Sequence, residues 1–426
     1  MNLPPMPGNS QHRKDGSSMK KKTIGRISVV LGLSISILAG CQQTGDSEKQ
    51  PTKHEEQSAS HEEGANRQQT ATTTPPSSAS SPLDQAQEKV SLGKVTAVRI
   101  ADFQSGWIGG DGWIAKTEDG GNRWKVQYQP KGTVKQLFAL NNHQAWAVVA
   151  KSAEAQSALS LIRTEDEGQN WSVVGEVPNQ DFLHFVSGQE AFSGRWSTTN
   201  GGKTWTKLPV PPGTVGEPYF HDRAVGWAVT KGQDAFQVQR TIDGGKSWSV
   251  VMSKKTVSPV NGVLIRSAGP QDAWIECIGD TGMTQTSYSL FHTADGGKSW
   301  QTVIAKSTAG AGPAPGFPMD YKNGPDIGGS SPGPLYVINS KEAFMGAQCM
   351  ACDKPNTIGW TLDGGKTLGK GTIALEGYGE ELLAFADAKH GWWFVTDHEK
   401  PSLMYATSDG GKHWNLVHTF DPPKKQ

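Results

Sequence analysis

The sequence predicts an all-β protein: a seven-bladed β-propeller of four-stranded antiparallel blades. Three observations predict it. The pattern Thr-x-Asp-x-Gly-x-x-Trp occurs seven times, at Thr117–Trp124, Thr164–Trp171, Thr198–Trp205, Thr241–Trp248, Thr293–Trp300, Thr361–Leu368 and Thr407–Trp414. Asn200 and Leu368 are its two departures. A short polar turn and an aromatic precede each copy, at Trp107, Trp146, Phe192, Trp227, Trp274, Phe344 and Trp392. Before each aromatic lies an apolar run, such as Val134 to Leu140 or Leu382 to Phe385. Copies are 34 to 68 residues apart, so a fixed unit carries loops of variable length.

Each unit reads as four short strands. An apolar strand comes first, an aromatic-led strand second, a strand ending in Thr third and a strand starting at Trp fourth. Gly, Asp and Asn turns divide them, which is a meander and the blade of a propeller. No stretch within 92–420 has a sustained helical period with caps.

Turn chemistry explains the repeated octapeptide. Asp and Asn side chains are expected to bond backbone amides two residues on, and Gly supplies a positive φ without strain. The Trp ring is expected to fold over the turn into the gap between blades, where burial contributes roughly 2–3 kcal/mol. Asp119, Asp166, Asn200, Asp243, Asp295, Asp363 and Asp409 are therefore structural, as are Trp124, Trp171, Trp205, Trp248, Trp300 and Trp414.

The octapeptide resembles the Asp-box (BNR) repeat, found in sialidases, xyloglucan-cleaving glycosidases, sortilin-type receptors and photosystem II stability/assembly factors. The resemblance covers residues 92–420. One seven-bladed domain with Gly-Trp-Ala strands ahead of the boxes is most similar to the photosystem assembly-factor-like branch. That resemblance implies an exported protein that docks on partners and catalyses nothing.

The N-terminal region points to export as well. Residues 1–18 read as an upstream extension or a mis-assigned start, with Met19 opening a basic segment. An apolar run from Ile27 to Ala39 is too short to span a bilayer and has the layout of a signal peptide. Leu38-Ala39-Gly40-Cys41 resembles a bacterial lipobox, which implies acylation at Cys41 and a lipid-anchored protein on the extracytoplasmic face of the cell membrane. Residues 42–91 are rich in Ser, Thr, Gln, Glu and Pro and read as a disordered tether reaching on the order of 40 Å. The propeller follows over 92–420, with a tail at 421–426. Its last strand, Asn415 to Phe420, is expected to complete blade seven alone, unless Glu88 to Leu92 adds to it.

Charge narrows the partners. Lys plus Arg and Asp plus Glu both number 41, so no global field favours nucleic acid. Long insertions, Glu276 to Ser287, Ala305 to Pro334 and Gly346 to Thr357, cluster at blades five and six on the face opposite the boxes. Loops of this length favour a binding surface. A second constellation stands eight residues before each aromatic: Arg99, Phe138, His184, Tyr219, Arg266, Tyr336 and Ala384. Equivalent positions face a common place, so Arg99, His184, Tyr219, Arg266 and Tyr336 are candidates to grip a carboxylate, a sugar or an acidic peptide.

Cysteines are expected to staple the loop-rich face, through Cys349–Cys352 or a bridge from Cys277 to one of them. No His follows Cys352, against c-type haem, and a three-Cys metal site lacks a fourth ligand. No cofactor or metal is expected. The functional reading is a lipid-anchored module that docks a membrane or cell-surface protein through the loop-rich face and channel mouth. Carbohydrate binding is the alternative, with a sialidase-like glycosidase behind it. Against the latter, the Arg-Ile-Pro motif is absent and the folded region holds only seven Arg, two of them, Arg163 and Arg240, adjoining boxes.

Overall fold

In the computed structural model, residues 90–151, 158–322, 324–348, 355–375 and 380–423 are described. They form 28 strands, β1 to β28 in chain order, arranged as seven antiparallel sheets of four consecutive strands each. No helix occurs among the described residues. This is the expected seven-bladed propeller.

The first strands of the blades are β1 (Val95–Ile100), β5 (Thr133–Ala139), β9 (Leu183–Phe185), β13 (Tyr219–Phe220), β17 (Gly262–Arg266), β21 (Ser331–Val337) and β25 (Glu381–Phe385). Beside each runs a second strand whose leading aromatic is at most 2% exposed. The register is common to all blades. Arg99, Phe138, His184, Tyr219, Arg266, Tyr336 and Ala384 each pair with the aromatic of the neighbouring strand. An eight-residue offset across an antiparallel hairpin is thus conserved from blade to blade, although the strands vary in length.

The octapeptide turn joins the third and fourth strands. Its Thr hydroxyl donates to the Asp or Asn Oδ1 at 2.7–3.0 Å. The same oxygen accepts the amide of the Gly four residues on at 2.8–3.0 Å. Oδ1 of Asp or Asn accepts the amide four residues ahead, at 2.9–3.0 Å. That corrects the expected two-residue reach: the intervening Gly pair doubles the chain back, so the amide that arrives is the one just before Trp. Asn200 makes the same bond, and its amide nitrogen donates to Thr204 Oγ1 at 2.8 Å. The carboxylate is therefore replaceable by an amide, as a purely structural role requires.

A further bond ties each turn to its own blade. The amide after the Asp or Asn donates to a carbonyl in the turn between the first two strands, from Gly120 to Gln104 through Gly410 to Lys389. In the second blade this position is Glu167, with φ of 64°, where the other blades have Gly. A non-Gly residue there is strained. The Glu167 carboxylate is held by His143 at 2.8 Å and Lys116 at 3.5 Å, contacts that favour it over Gly.

The core is layered between blades. Buried apolar clusters fill the seams 7/1, 1/2, 2/3, 4/5, 5/6 and 6/7. The box aromatic joins the seam with the preceding blade, as expected. Trp300 lies edge-on to Trp227 with centroids 6.2 Å apart, and its Nε1 donates to Gly297 O and Val251 O. Leu368 takes the same place in the seam between blades five and six. At the seam between blades three and four, stacked rings dominate instead: Phe192 on Phe220 and His184 on Tyr219. Blade three has strands of only two or three residues, which present little apolar surface to its neighbour.

The ring closes by side-by-side packing. β28 (Asn415–Thr419) pairs with β27 (Leu403–Thr407), so blade seven is built from consecutive strands. Trp124 of blade one packs on Trp392 and Phe420 at 5.6 and 6.3 Å. Leu92 contributes one carbonyl, to the Asp421 amide, and no strand; Glu88 lies outside the described residues.

Trp300→Ala should destabilise the fold by about 2–3 kcal/mol and lower Tm by roughly 5 °C, because it empties a half-buried seam position. Calorimetry reads this, and an unchanged midpoint would refute the seam role. Acid should act through the boxes. Hydrogen bonds from the residue four places on hold Asp119, Asp243, Asp295 and Asp409 down at about 2. A pKa lowered by folding stabilises above the unfolded value of 3.8 and loses that contribution as pH falls towards 2. The box contribution, read as the Tm difference between wild type and Asp295→Asn at each pH, should therefore hold from pH 7 to about 5 and change below about 4. Asp295→Asn should stay close to wild type at pH 7, and Asp295→Ala should not.

Candidate functional site

The first strands of all seven blades line one central cavity of about 820 Å³. Arg99, His184, Tyr219, Arg266 and Tyr336 all reach it, together with Phe138. Ala384 is fully buried and is not part of the wall. The shared register explains the convergence: paired residues on adjacent strands occupy the same side and depth of each blade.

Both arginines stand on aromatic faces. The Arg99 guanidinium lies over Phe138 at 4.4 Å, and that of Arg266 over Phe182 at 3.7 Å. Arg99 Nε is buried without a hydrogen-bond partner, while Arg266 Nη1 donates to Ile265 O at 2.8 Å. Among the described residues, arginine ion pairs form at Arg123, Arg163 and Arg223, not at these two. Burial lowers the pKa of Arg266.

His184 is 8% exposed and stacks on Tyr219 at 4.7 Å and 8°. Neither ring nitrogen has a partner. Burial, then the charge of Arg266, pushes its pKa down to about 3, so the ring is neutral near pH 7. A neutral imidazole offers one donor and one acceptor. The tyrosines differ from the expected grip. Tyr219 donates its proton to Ser267 O at 3.2 Å, bridging blades four and five. Tyr336 donates to Phe385 O at 2.8 Å, bridging blades six and seven. Their hydroxyls tie blades together and keep only acceptor lone pairs for a ligand.

One charged group at this cavity, Glu217, and two near it, Asp181 and Glu276, escaped the aromatic-based alignment, because they lie in blade crossings or on second strands. Glu217 lines the wall and accepts the Phe182 amide at 3.1 Å. Asp181 beside it is raised to about 6 by burial and by the charge of Glu217. Glu276, two residues beyond Trp274, is raised to about 8 by burial against the opposing pull of Arg266. Its Trp274-Ile275-Glu276-Cys277 neighbourhood reads as plain core, so only the pairing with Leu264 on β17 reveals its nearness to Arg266.

The two surfaces expected to act together lie apart. Arg99 and Arg266 sit at the ends of β1 and β17 that lead into the box-side turns. The long insertions belong to the opposite face. Moreover, the crossing 307–330 is a fixed strap. Ser289 Oγ donates to Pro315 O at 2.6 Å and Ser287 Oγ to Ala311 O at 3.2 Å. Lys306 Nζ reaches Asp326, Gly328 O and Gly329 O from inside it. Loop length alone suggested a free docking surface, whereas these bonds fasten the strap to blade five.

Cys277 is a free, fully buried thiol opposite Val263, raised by burial, so a bridge from it is not formed. Cys349, Cys352 and Cys41 lie outside the described residues. Among the described residues, no three His, Cys, Asp or Glu side chains are grouped to hold a metal ion.

No protein-family model matches the sequence, and no curated protein matches it. Solved structures do. YCF48 bound to D1 peptide is 13% identical, with 75% of this chain and 92% of that chain covered and a TM-score of 0.42. The GH74 xyloglucanase from Xanthomonas campestris is 12% identical at a TM-score of 0.49, over 77% of this chain and 55% of that one. YCF48 from Cyanidioschyzon merolae is 16% identical at a TM-score of 0.30, over 76% of this chain and 85% of that one. Identities and TM-scores this low carry neither a site nor an activity across to this chain.

Proposed function

We propose that this propeller is a docking module that holds an acidic segment of a partner protein in the box-side end of its central channel. The observation that carries this is the pair Arg99 and Arg266, which line one cavity and, among the described residues, have no carboxylate within 4.0 Å, although Glu217 and Glu276 lie near enough to act on the charge of Arg266. Each guanidinium rests its flat face on a ring, which leaves N–H edges to meet a carboxylate in bidentate fashion. His184, neutral and stacked on Tyr219, adds an aromatic ring to the wall without adding charge. Leu137, Leu335 and Leu382 add apolar stretches to a wall that also carries Lys135 and one acid, Glu217, which suits a peptide with acidic and apolar residues.

The anchor completes the proposal. Acylation at Cys41 and the 42–91 tether would hold the propeller at the extracytoplasmic face of the membrane, where tethering raises the local concentration of membrane partners. A carboxylated sugar shares the chemistry of an acidic side chain and is the competing occupant. Hydrolysis has one observation in its favour, the two carboxyls Asp181 and Glu276 raised to about 6 and about 8, the range of a general acid. Neither belongs to the cavity wall, which weighs against it.

A fluorescent Glu-Leu repeat hexapeptide, with its Gln-Leu counterpart as control, tests the channel. The acidic peptide should bind more tightly, and Arg99→Gln and Arg266→Gln should each weaken it about tenfold. Equal binding by both variants would overturn the proposal, and competition by glucuronate with no peptide binding would move the site to glycans. For the anchor, Cys41→Ser should shift the protein from the membrane to the soluble fraction; retention at the membrane refutes lipidation there.

A further inference from the structure

A second cleft, of about 910 Å³, opens on the loop-rich side, between the ends of blade four and the strap. Its floor is laid down by register. Phe236 pairs with Lys231 on one side and with Lys254 on the other, so the three side chains share one face of blade four. Phe236 is fully buried, and Phe317 of the strap and Val260 complete an apolar base. Gly316 brings the strap in close, its amide donating to Thr256 Oγ1 at 3.2 Å. Its φ of 86° lies in the left-handed region that favours glycine, and a Cβ there would crowd Lys254 at 3.0 Å.

The charges of this cleft are unmatched. Lys254 Nζ lies 4.9 Å from the centroids of both Phe291 and Phe317. Among the described residues, lysine ion pairs form at Lys116 and Lys306, and neither Lys231 nor Lys254 has one. Lys231, Lys254 and Lys255 line the cleft against a single acid, Asp234. Burial pulls the Lys254 ammonium below its ordinary pKa, a sign of hydration removed without a carboxylate to replace it. Two cations flanking an aromatic floor make an amphipathic receptor.

We propose that this cleft binds a carboxylate carried on an apolar or aromatic group, with the carboxylate between Lys231 and Lys254 and the apolar part on Phe317 and the exposed Val257. Ring stacking supplies the apolar contact and the ammonium pair supplies selectivity for the ionised acid. Such a group occurs as a free organic acid or as the C-terminal residue of a peptide chain. The site shares no residue with the central channel, so it stands or falls independently of the docking proposal.

Ligand-observed NMR on the whole protein tests it with 4-phenylbutyrate, 4-phenylbutanol, and Ala-Ala-Phe as free acid and as amide. Phenylbutyrate should saturate below about 1 mM, with the alcohol at least tenfold weaker. Lys231→Met and Lys254→Met should each weaken the acid roughly tenfold, while Arg266→Gln leaves it unchanged. Lys231 is exposed, so its variant folds regardless of how Lys254→Met behaves. Tighter binding of the tripeptide acid than of phenylbutyrate assigns the ligand to a chain terminus; the reverse assigns it to a free acid, and both uphold the site. Equal binding of acid and alcohol, binding indifferent to Lys231 and Lys254, or no saturation by any acid at about 10 mM would overturn it.

Discussion

A threonine hydroxyl holds this molecule together, because it donates to one side chain and accepts from the backbone within a single turn. In each blade it anchors an Asp or Asn Oδ1, which then receives the amide ahead of the box aromatic. The next amide binds the hairpin turn of the same blade. Third and fourth strands are thereby fixed to the first and second at one depth. Every other regularity follows: seam aromatics at equal height, a common register, and a channel lined by equivalent positions.

Closure follows the same physics. A disc built of consecutive strands has one seam that the chain does not cross, between blades seven and one. Trp124 fills it as the other box residues, Leu368 among them, fill theirs, with Trp392 and Phe420 as its partners. Repeats stack through nearest-neighbour interfaces, so one more interface of the ordinary kind suffices. Where blade three is too short to supply apolar surface, histidine and tyrosine rings stack instead. That substitution places a polar imidazole at the channel wall, so a local shortage of apolar core is coupled to the chemistry of the site.

Charge left over after folding marks both candidate sites. Two buried structural lysines in this propeller are satisfied: Lys306 inside the strap by carbonyls and Asp326, Lys116 by Glu118 and Glu167. Arg99, Arg266, Lys231 and Lys254 instead rest on or beside aromatic faces without a carboxylate partner. An aromatic face steadies a cation by a modest amount and leaves its donors available to a ligand. Arg240 also rests on a ring, Trp227, without an ion pair among the described residues, but it donates to Pro270 O beside a box and away from both cavities.

Blade number, strand order, the role of the boxes and the alignment of the channel positions were legible in the residues. Each depends on a window of a few residues: a Thr-Asp turn, a glycine, an aromatic at a fixed offset, an alternation of period two. The reach of the Asp oxygen was misjudged because the doubled-back Gly pair sets it in three dimensions. The strap read as a free loop because its hydrogen bonds go to Ser287 and Ser289, in a strand of the preceding blade. Tyrosine hydroxyls, the buried thiol of Cys277 and the nearness of Glu276 to Arg266 were likewise settled by neighbours remote in the chain. Sequence by itself determined what local hydrogen bonds and periodicity can encode. Tertiary structure decided which polar groups found partners and which were left facing a cavity, because satisfaction of a buried group depends on every blade that reaches it.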